Sequence, residues 1–125
     1  MSLVTGVHHA SVVVEDLPRA RGFYEGVLGL TPSPDRPELV FDGVWYDIAT
    51  VQIHLLCVPN PEAGLKRPVH GGRDRHLALT VSDLGELQAR LDRAHVSYTQ
   101  SRSGRKALFC RDPDDNGMEF IAAPA

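Results

Sequence analysis

The chain has 125 residues, 42% of them apolar, and a formal net charge of −3, which is enough for one domain with a core of its own. No long run of one charge sign marks a nucleic-acid or membrane partner, and no apolar stretch approaches the roughly 20 residues that span a bilayer. The N-terminus MSLVTGVHH carries no basic-then-apolar leader, and Cys57 and Cys110 lie far apart in apolar runs as reduced thiols, so a cytoplasmic location is expected.

Residues 7–16, VHHASVVVED, alternate like a strand and stop at Asp16. That carboxylate can N-cap a helix with Pro18 in its first turn. Leu17, Ala20, Phe23, Tyr24, Val27 and Leu28 keep a helical period over 17–28, and Gly29 suits the C-terminus. Three strands are expected next, over about 37–41, 44–49 and 51–58, with a turn at Gly43. The Pro- and Gly-rich stretch PNPEAGLKRPVHG, 59–71, reads as a linker. Residues 74–83, DRHLALTVSD, alternate again and end at Asp83, which makes a capping-box pattern with Glu86. Leu84, Leu87, Leu91 and Ala94 give a second helix over 84–94. Strands over about 96–101, 105–111 and 117–122 complete the chain, with turns at Asn116 and Gly117.

The chain is thus written twice, as βαβββ, linker, βαβββ. An offset of 67 aligns His9 with His76, Val14 with Val81, Asp16 with Asp83 and Leu17 with Leu84. Side chains alternate across a strand, so residue phase assigns faces. Ala10, Val12 and Val14 form an apolar face, as do Leu77, Leu79 and Val81, then Ile53, Leu55 and Cys57, then Met118, Phe120 and Ala122. The opposite faces carry His9, His76, His54 and Glu119 in turn. A pseudo-twofold relation between the halves would bring these four donors to one divalent ion. Ser11, Gln52 and Thr80 share the donor phase, and His8 falls on the helix-facing or edge phase. His70 and His95 read as solvated.

These features make the chain similar to the vicinal oxygen chelate superfamily, also called the glyoxalase/bleomycin resistance/dioxygenase family. The segments HHASVVVEDLPRARGFYEGVLGL and RHLALTVSDL resemble its strand–Asp–helix–FY–LG signature, and FCRDPDDNGMEF resembles its DPDGN–x–x–E ending, with Asp115 at the usual glycine. The resemblance implies an α+β fold and a single domain, 1–125. Its two tandem modules, about 4–58 and about 72–122, would form a partly open eight-stranded barrel-like cup with the helices outside.

The resemblance also places His9, His76 and Glu119 on three metal ligands common to the metalloenzyme members. His54 falls where glyoxalase I carries a glutamate. Imidazole and carboxylate donors suit Zn, Ni, Fe or Mn. The implied activity is that of a glyoxalase-type lyase or isomerase. It acts on a small substrate with vicinal oxygens through an enediolate-like intermediate, with Glu119 as the catalytic base. Ser11, Gln52, Thr80 and Trp45 are expected to line the substrate site, with Arg102 and Arg105 as donors for an anionic group. The alternatives are a thiol transferase or hydrolase resembling fosfomycin resistance proteins, an extradiol-type dioxygenase, and a non-catalytic drug-binding resistance protein. A homodimer is expected. His9 and His54 of one chain would then meet His76 and Glu119 of the other, unless the site lies within one chain.

Overall fold

The computed structural model describes residues 1–124. It has seven strands in two sheets. In the first half come β1 (His9–Val14), β2 (Asp42–Ile48) and β3 (Val51–Cys57). In the second come β4 (Leu77–Val81), β5 (Tyr98–Gln100), β6 (Ala107–Arg111) and β7 (Gly117–Ala122). The first sheet runs β1–β3–β2 and the second β4–β7–β6–β5. In each, the first strand lies parallel to the last, which is antiparallel to its other neighbour.

Both expected N-caps are made. Asp16 accepts from the Arg19 amide at the start of α1 (Leu17–Arg21), and Asp83 accepts from the Glu86 amide at the start of α2 (Leu84–Arg93). Glu86 does not complete a reciprocal capping box; its carboxylate pairs with Arg90 and Arg93 instead. The first helix continues past α1 in π-helical form over Gly22–Val27. Leu28 N donates to Phe23 O in that wider spacing, where Gly22 and Gly26 hold the α form weakly. Gly29 follows at φ 76°.

Two expectations need correction. The strand over 37–41 does not form, so there are seven strands and not eight. Pro32, Pro34 and Pro37 remove amide donors there, and the segment touches β2 only through a Pro32–Tyr46 bridge and the Ser33 N to Trp45 O bond of 2.7 Å. Gly43 and Gly117 are not turn residues but sit inside β2 and at the start of β7. A Cβ at Gly43 would meet Leu55 O at 2.2 Å, and one at Gly117 would meet Arg75 O at 2.7 Å, so both allow close backbone approach. Among the described residues no strand pairing joins the two sheets.

The helix-facing strand residues bury as their phase requires. Val14, Ile53, Leu55, Leu108, Met118 and Phe120 share one core with Tyr24 and Leu91. The halves are bolted together at the β6–β7 turn by Asp112, which is 4% exposed. Its Oδ2 accepts from Tyr24 Oη at 2.7 Å and from Asn116 Nδ2 at 2.8 Å. Its Oδ1 accepts from the amides of Asp114 and Asn116, both at 2.9 Å. Asn116 Nδ2 also donates to Val13 O, the Glu15 amide donates to Asp114, and Arg19 donates to Pro113 O. Burial, with the Asp112 carboxylate beside it, holds the Tyr24 phenol well above its ordinary pKa, so it stays a donor.

Truncating Asp112 orphans several donors at once, each costing about 1–3 kcal/mol when buried. Asp112→Ala is expected to lower stability by about 3 kcal/mol or more and Tyr24→Phe by about 1 kcal/mol. Urea midpoints at an unchanged m value would check this ordering.

Candidate metal and substrate site

The faces turned away from the core carry the candidate donors, and the sheet registers repeat between the halves. Across the first sheet Ser11, His54 and Trp45 stand side by side on β1, β3 and β2. Across the second, Ala78, Glu119, Phe109 and Thr99 do so on β4, β7, β6 and β5. His54 and Glu119 therefore occupy matching places, each at the centre of a row.

On the first sheet His54, 8% exposed, lies between two parallel rings. Trp45 stacks on it at 4.2 Å and His9 at 4.1 Å. His54 Nε2 is 2.9 Å from Gln52 Oε1, and Gln52 Nε2 donates to Asp47 Oδ1 at 2.8 Å. Burial lowers the His54 pKa, and the neighbouring His9, His8 and Arg36 lower it further, so a lone pair is available at neutral pH. His8 is exposed rather than helix-facing, with its Nδ1 2.8 Å from His9 Nδ1, so one ring donates to the other.

On the second sheet His76, just before β4, places Nε2 3.3 Å from Glu119 Oε1. Its Nδ1 is 2.8 Å from Asp74 O. Glu119 is 3% exposed, and its Oε2 has no hydrogen-bond partner. The nearest countercharge is the half-exposed Arg105 guanidinium at 3.5 Å. Ser11 and Thr80 are exposed on their sheets, and Arg102 is exposed in the loop before β6.

Within a single chain these donors form two pairs, His9 with His54 and His76 with Glu119. Among the described residues no group of three or more His, Cys, Asp or Glu side chains is placed to hold an ion. The donor chemistry nonetheless fits a divalent ion, because Glu119 presents a buried oxygen that has no hydrogen-bond partner and is faced only at 3.5 Å by Arg105.

Sequence reasoning missed several contributors. His70 is half-buried rather than solvated, with Nδ1 2.7 Å from Thr99 Oγ1 and its ring edge-on to Phe109. It opens a short 3₁₀ turn, Gly71–Arg73, laid over Phe109 so closely that a Cβ at Gly71 would come within 3.1 Å of the Phe109 Cβ. Asp74 closes that turn as a hub: Arg111 donates to it at 2.8 Å, Arg67 at 3.2 Å and the Arg75 amide at 2.9 Å. Nothing in the local pattern signals that three donors meet on Asp74. Asp47 was findable, since it faces Gln52 once the two-residue turn at Ala49–Thr50 is recognised.

Comparison with known proteins follows this geometry. Residues 6–120 match the family model for the Glyoxalase/Bleomycin resistance protein/Dioxygenase superfamily. A relative in Arabidopsis thaliana, Glyoxylase I 4, is 29% identical over 122 residues, covering 94% of this chain and 70% of that protein. Among solved structures, the fosfomycin resistance protein FosX of Listeria monocytogenes superposes with a TM-score of 0.77 at 16% identity, covering 98% of this chain and 94% of FosX. TnmS3, an antibiotic binding protein from Streptomyces sp. CB03234, gives 0.72 at 22% identity, covering 99% and 100%. At these identities the structural likeness speaks to the fold.

The Asp74 hub has a pH signature. Burial alone would raise its carboxyl, but the bonds from Arg111, the Arg75 amide and Arg67 outweigh that and hold it below its ordinary value. A depressed folded-state pKa stabilises the fold above the unfolded value of about 4, and the contribution disappears as pH falls through that range. Asp74→Asn should therefore be less stable than the wild type at neutral pH, with the gap closing in acid. Urea titrations of both proteins at stepped pH check this; a gap independent of pH would refute the hub.

Proposed function

The chain belongs to the Glyoxalase/Bleomycin resistance protein/Dioxygenase superfamily, and on that premise we propose that it is a divalent-metal-dependent enzyme of glyoxalase type, a lyase or isomerase acting on a small substrate with vicinal oxygens. The His76–Glu119 pair carries this reading. A carbonyl oxygen only accepts, so the His76 Nδ1 beside Asp74 O bears the ring proton. With no proton on Nε2, the ring aims that lone pair at Glu119 Oε1, 3.3 Å away. Lone pair facing carboxylate is unfavourable unless a proton or a cation lies between them. The unpartnered second oxygen of the same buried carboxylate favours the cation.

Two donors are too few for Zn, Ni, Fe or Mn, the ions that suit this set. We assign the remaining two to His9 and His54 of a second copy, as in a twofold dimer where each chain completes the other's site. Large apolar side chains beside the donor strands, Val7 and Val69 among them, are exposed in the single chain, as expected of a surface that a second copy covers.

The ion, when bound, supplies Lewis-acid stabilisation of negative charge developing on the substrate's vicinal oxygens. Glu119 is the only carboxylate in the set and takes the substrate proton as base. His54 stays neutral and stationary between Trp45 and His9. Ser11, Thr80, Arg102 and Arg105 orient the substrate, with Trp45 as an aromatic wall.

The test is complementation. A H9A/H54A variant and a H76A/E119Q variant are each expected to lose Mn²⁺ or Zn²⁺ binding and hemithioacetal isomerisation. Mixed in equal amounts and re-equilibrated, they should regain one ion and about half the wild-type activity per heterodimer, about a quarter of wild-type activity averaged over all dimers, since one intact site re-forms across the chains. Metal content by mass spectrometry and mass by light scattering read the outcome. Mixing that restores nothing removes the shared site, and a wild type that binds no divalent ion removes the metal reading.

A further inference from the structure

We propose that Gln52, clamped by Asp47, is a positioning residue that holds His54 as the Nε2–H tautomer and leaves Nδ1 as its free electron pair. The inference rests on the reading of His54 as a metal donor, and it adds which atom donates and what fixes it.

The clamp begins with a carboxylate that can only accept. The end of the Gln52 side chain that lies 2.8 Å from Asp47 Oδ1 must therefore be the amide NH₂. The other end, 2.9 Å from His54 Nε2, is then the carbonyl oxygen. A carbonyl oxygen also only accepts, so the neutral His54 ring must carry its proton on Nε2. Turning the amide over would set oxygen against carboxylate at the Asp47 end, so that contact opposes the flip and fixes which end faces His54.

The ring has little freedom to escape. Trp45 stacks on it at 5° and His9 at 14°, so it is confined to its own plane. The β2–β3 hairpin builds the arrangement, because Asp47 faces Gln52 and Trp45 faces His54 in direct cross-strand register, all four on the donor face. Gln52 was expected to touch substrate; with both ends of its amide engaged, it acts through His54 instead.

His76 provides the internal contrast. Its Nδ1 proton is held by Asp74 O, so its free pair is on Nε2. The two imidazoles, from matching halves of a duplicated chain, therefore present opposite nitrogens. An outer hydrogen bond that fixes the tautomer and orientation of a liganding imidazole is worth about 10–100-fold in metal affinity.

Long-range ¹H–¹⁵N spectra of the chelator-stripped protein, above the range where the imidazoles protonate, read the tautomers directly. The wild type should show a proton-bearing Nε2 and a pyridine-type Nδ1 for His54, and the reverse for His76. Q52L should mix the His54 tautomers, leave His76 and the melting temperature unmoved, and weaken Mn²⁺ binding by about tenfold or more. The double variant D47N/Q52E, whose new amide donates to the new carboxylate, should restore both the His54 signature and the affinity. A His54 proton on Nδ1 in the wild type, or His54 shifts unchanged by Q52L, overturns the clamp. The expected wild-type nitrogens and Q52L response in a protein that binds neither Mn²⁺ nor Zn²⁺ uphold the clamp and overturn the metal reading instead.

Discussion

Asp112 sets the relation between the two halves, and the rest of the architecture follows from it. One buried carboxylate gathers a phenol from the first helix and three N–H groups from its own turn, and Asn116 passes the connection on to the backbone of β1. The bonds span about ninety or more residues of sequence and replace the sheet pairing that is missing between the halves. Because the link runs through the β6–β7 turn and not through the sheet faces, β1 and β4 flank one narrow crevice of about 270 Å³, lined by Ala10, Ser11, Val12, His76 and Leu77. The helix-facing strand residues form the core, where Tyr24 is both a packing residue and the donor to Asp112.

Much of the fold was legible because its signals are local. Asp16 and Asp83 cap helices since a short carboxylate reaches the third amide ahead, a fact of neighbouring residues alone. Strand phase put Ile53, Leu55, Met118 and Phe120 inside and His54 and Glu119 on the other side, and the repeat carried the same statement from one half to the other. What could not be read depends on what approaches from elsewhere. Gly43 and Gly117 look like turn residues by type, yet each is needed for a backbone oxygen from a distant segment. The segment 37–41 has strand-like apolar residues, Leu39, Val40 and Phe41, but the prolines before it withhold the amides that a ladder requires. Arg36 instead donates to Phe41 O at 2.8 Å, closing the segment on itself.

The candidate site divides along the same line. The facing of a side chain is a property of its own strand and was visible; convergence is a property of rigid-body placement and was not. Nor could phase reveal the partners that orient the donors. Asp74 lies two residues before His76 and reaches it through its carbonyl, while its carboxylate is engaged by guanidinium groups from Arg67 and Arg111. Asp47 acts on His54 through an intervening amide. Side chains that work on other side chains leave no periodic trace.

The charge of the donor set bears on what such a site does. Three imidazoles and one carboxylate leave a bound divalent ion with a net positive charge, where a second carboxylate would cancel it. The low His54 pKa, set by burial and by neighbouring positive or protonatable groups, keeps that ring from adding charge of its own. A net positive centre holds developing oxyanions more strongly but makes a liganding carboxylate a weaker base. Glu119 has one oxygen on the His76 side, while the other, buried and without a hydrogen-bond partner, faces the Arg105 guanidinium at 3.5 Å. The matching place on the first sheet holds the imidazole of His54, with Nε2 2.9 Å from Gln52 Oε1. The two halves of the duplicated chain thus differ at the same place, with a buried carboxylate in the second and a buried imidazole in the first.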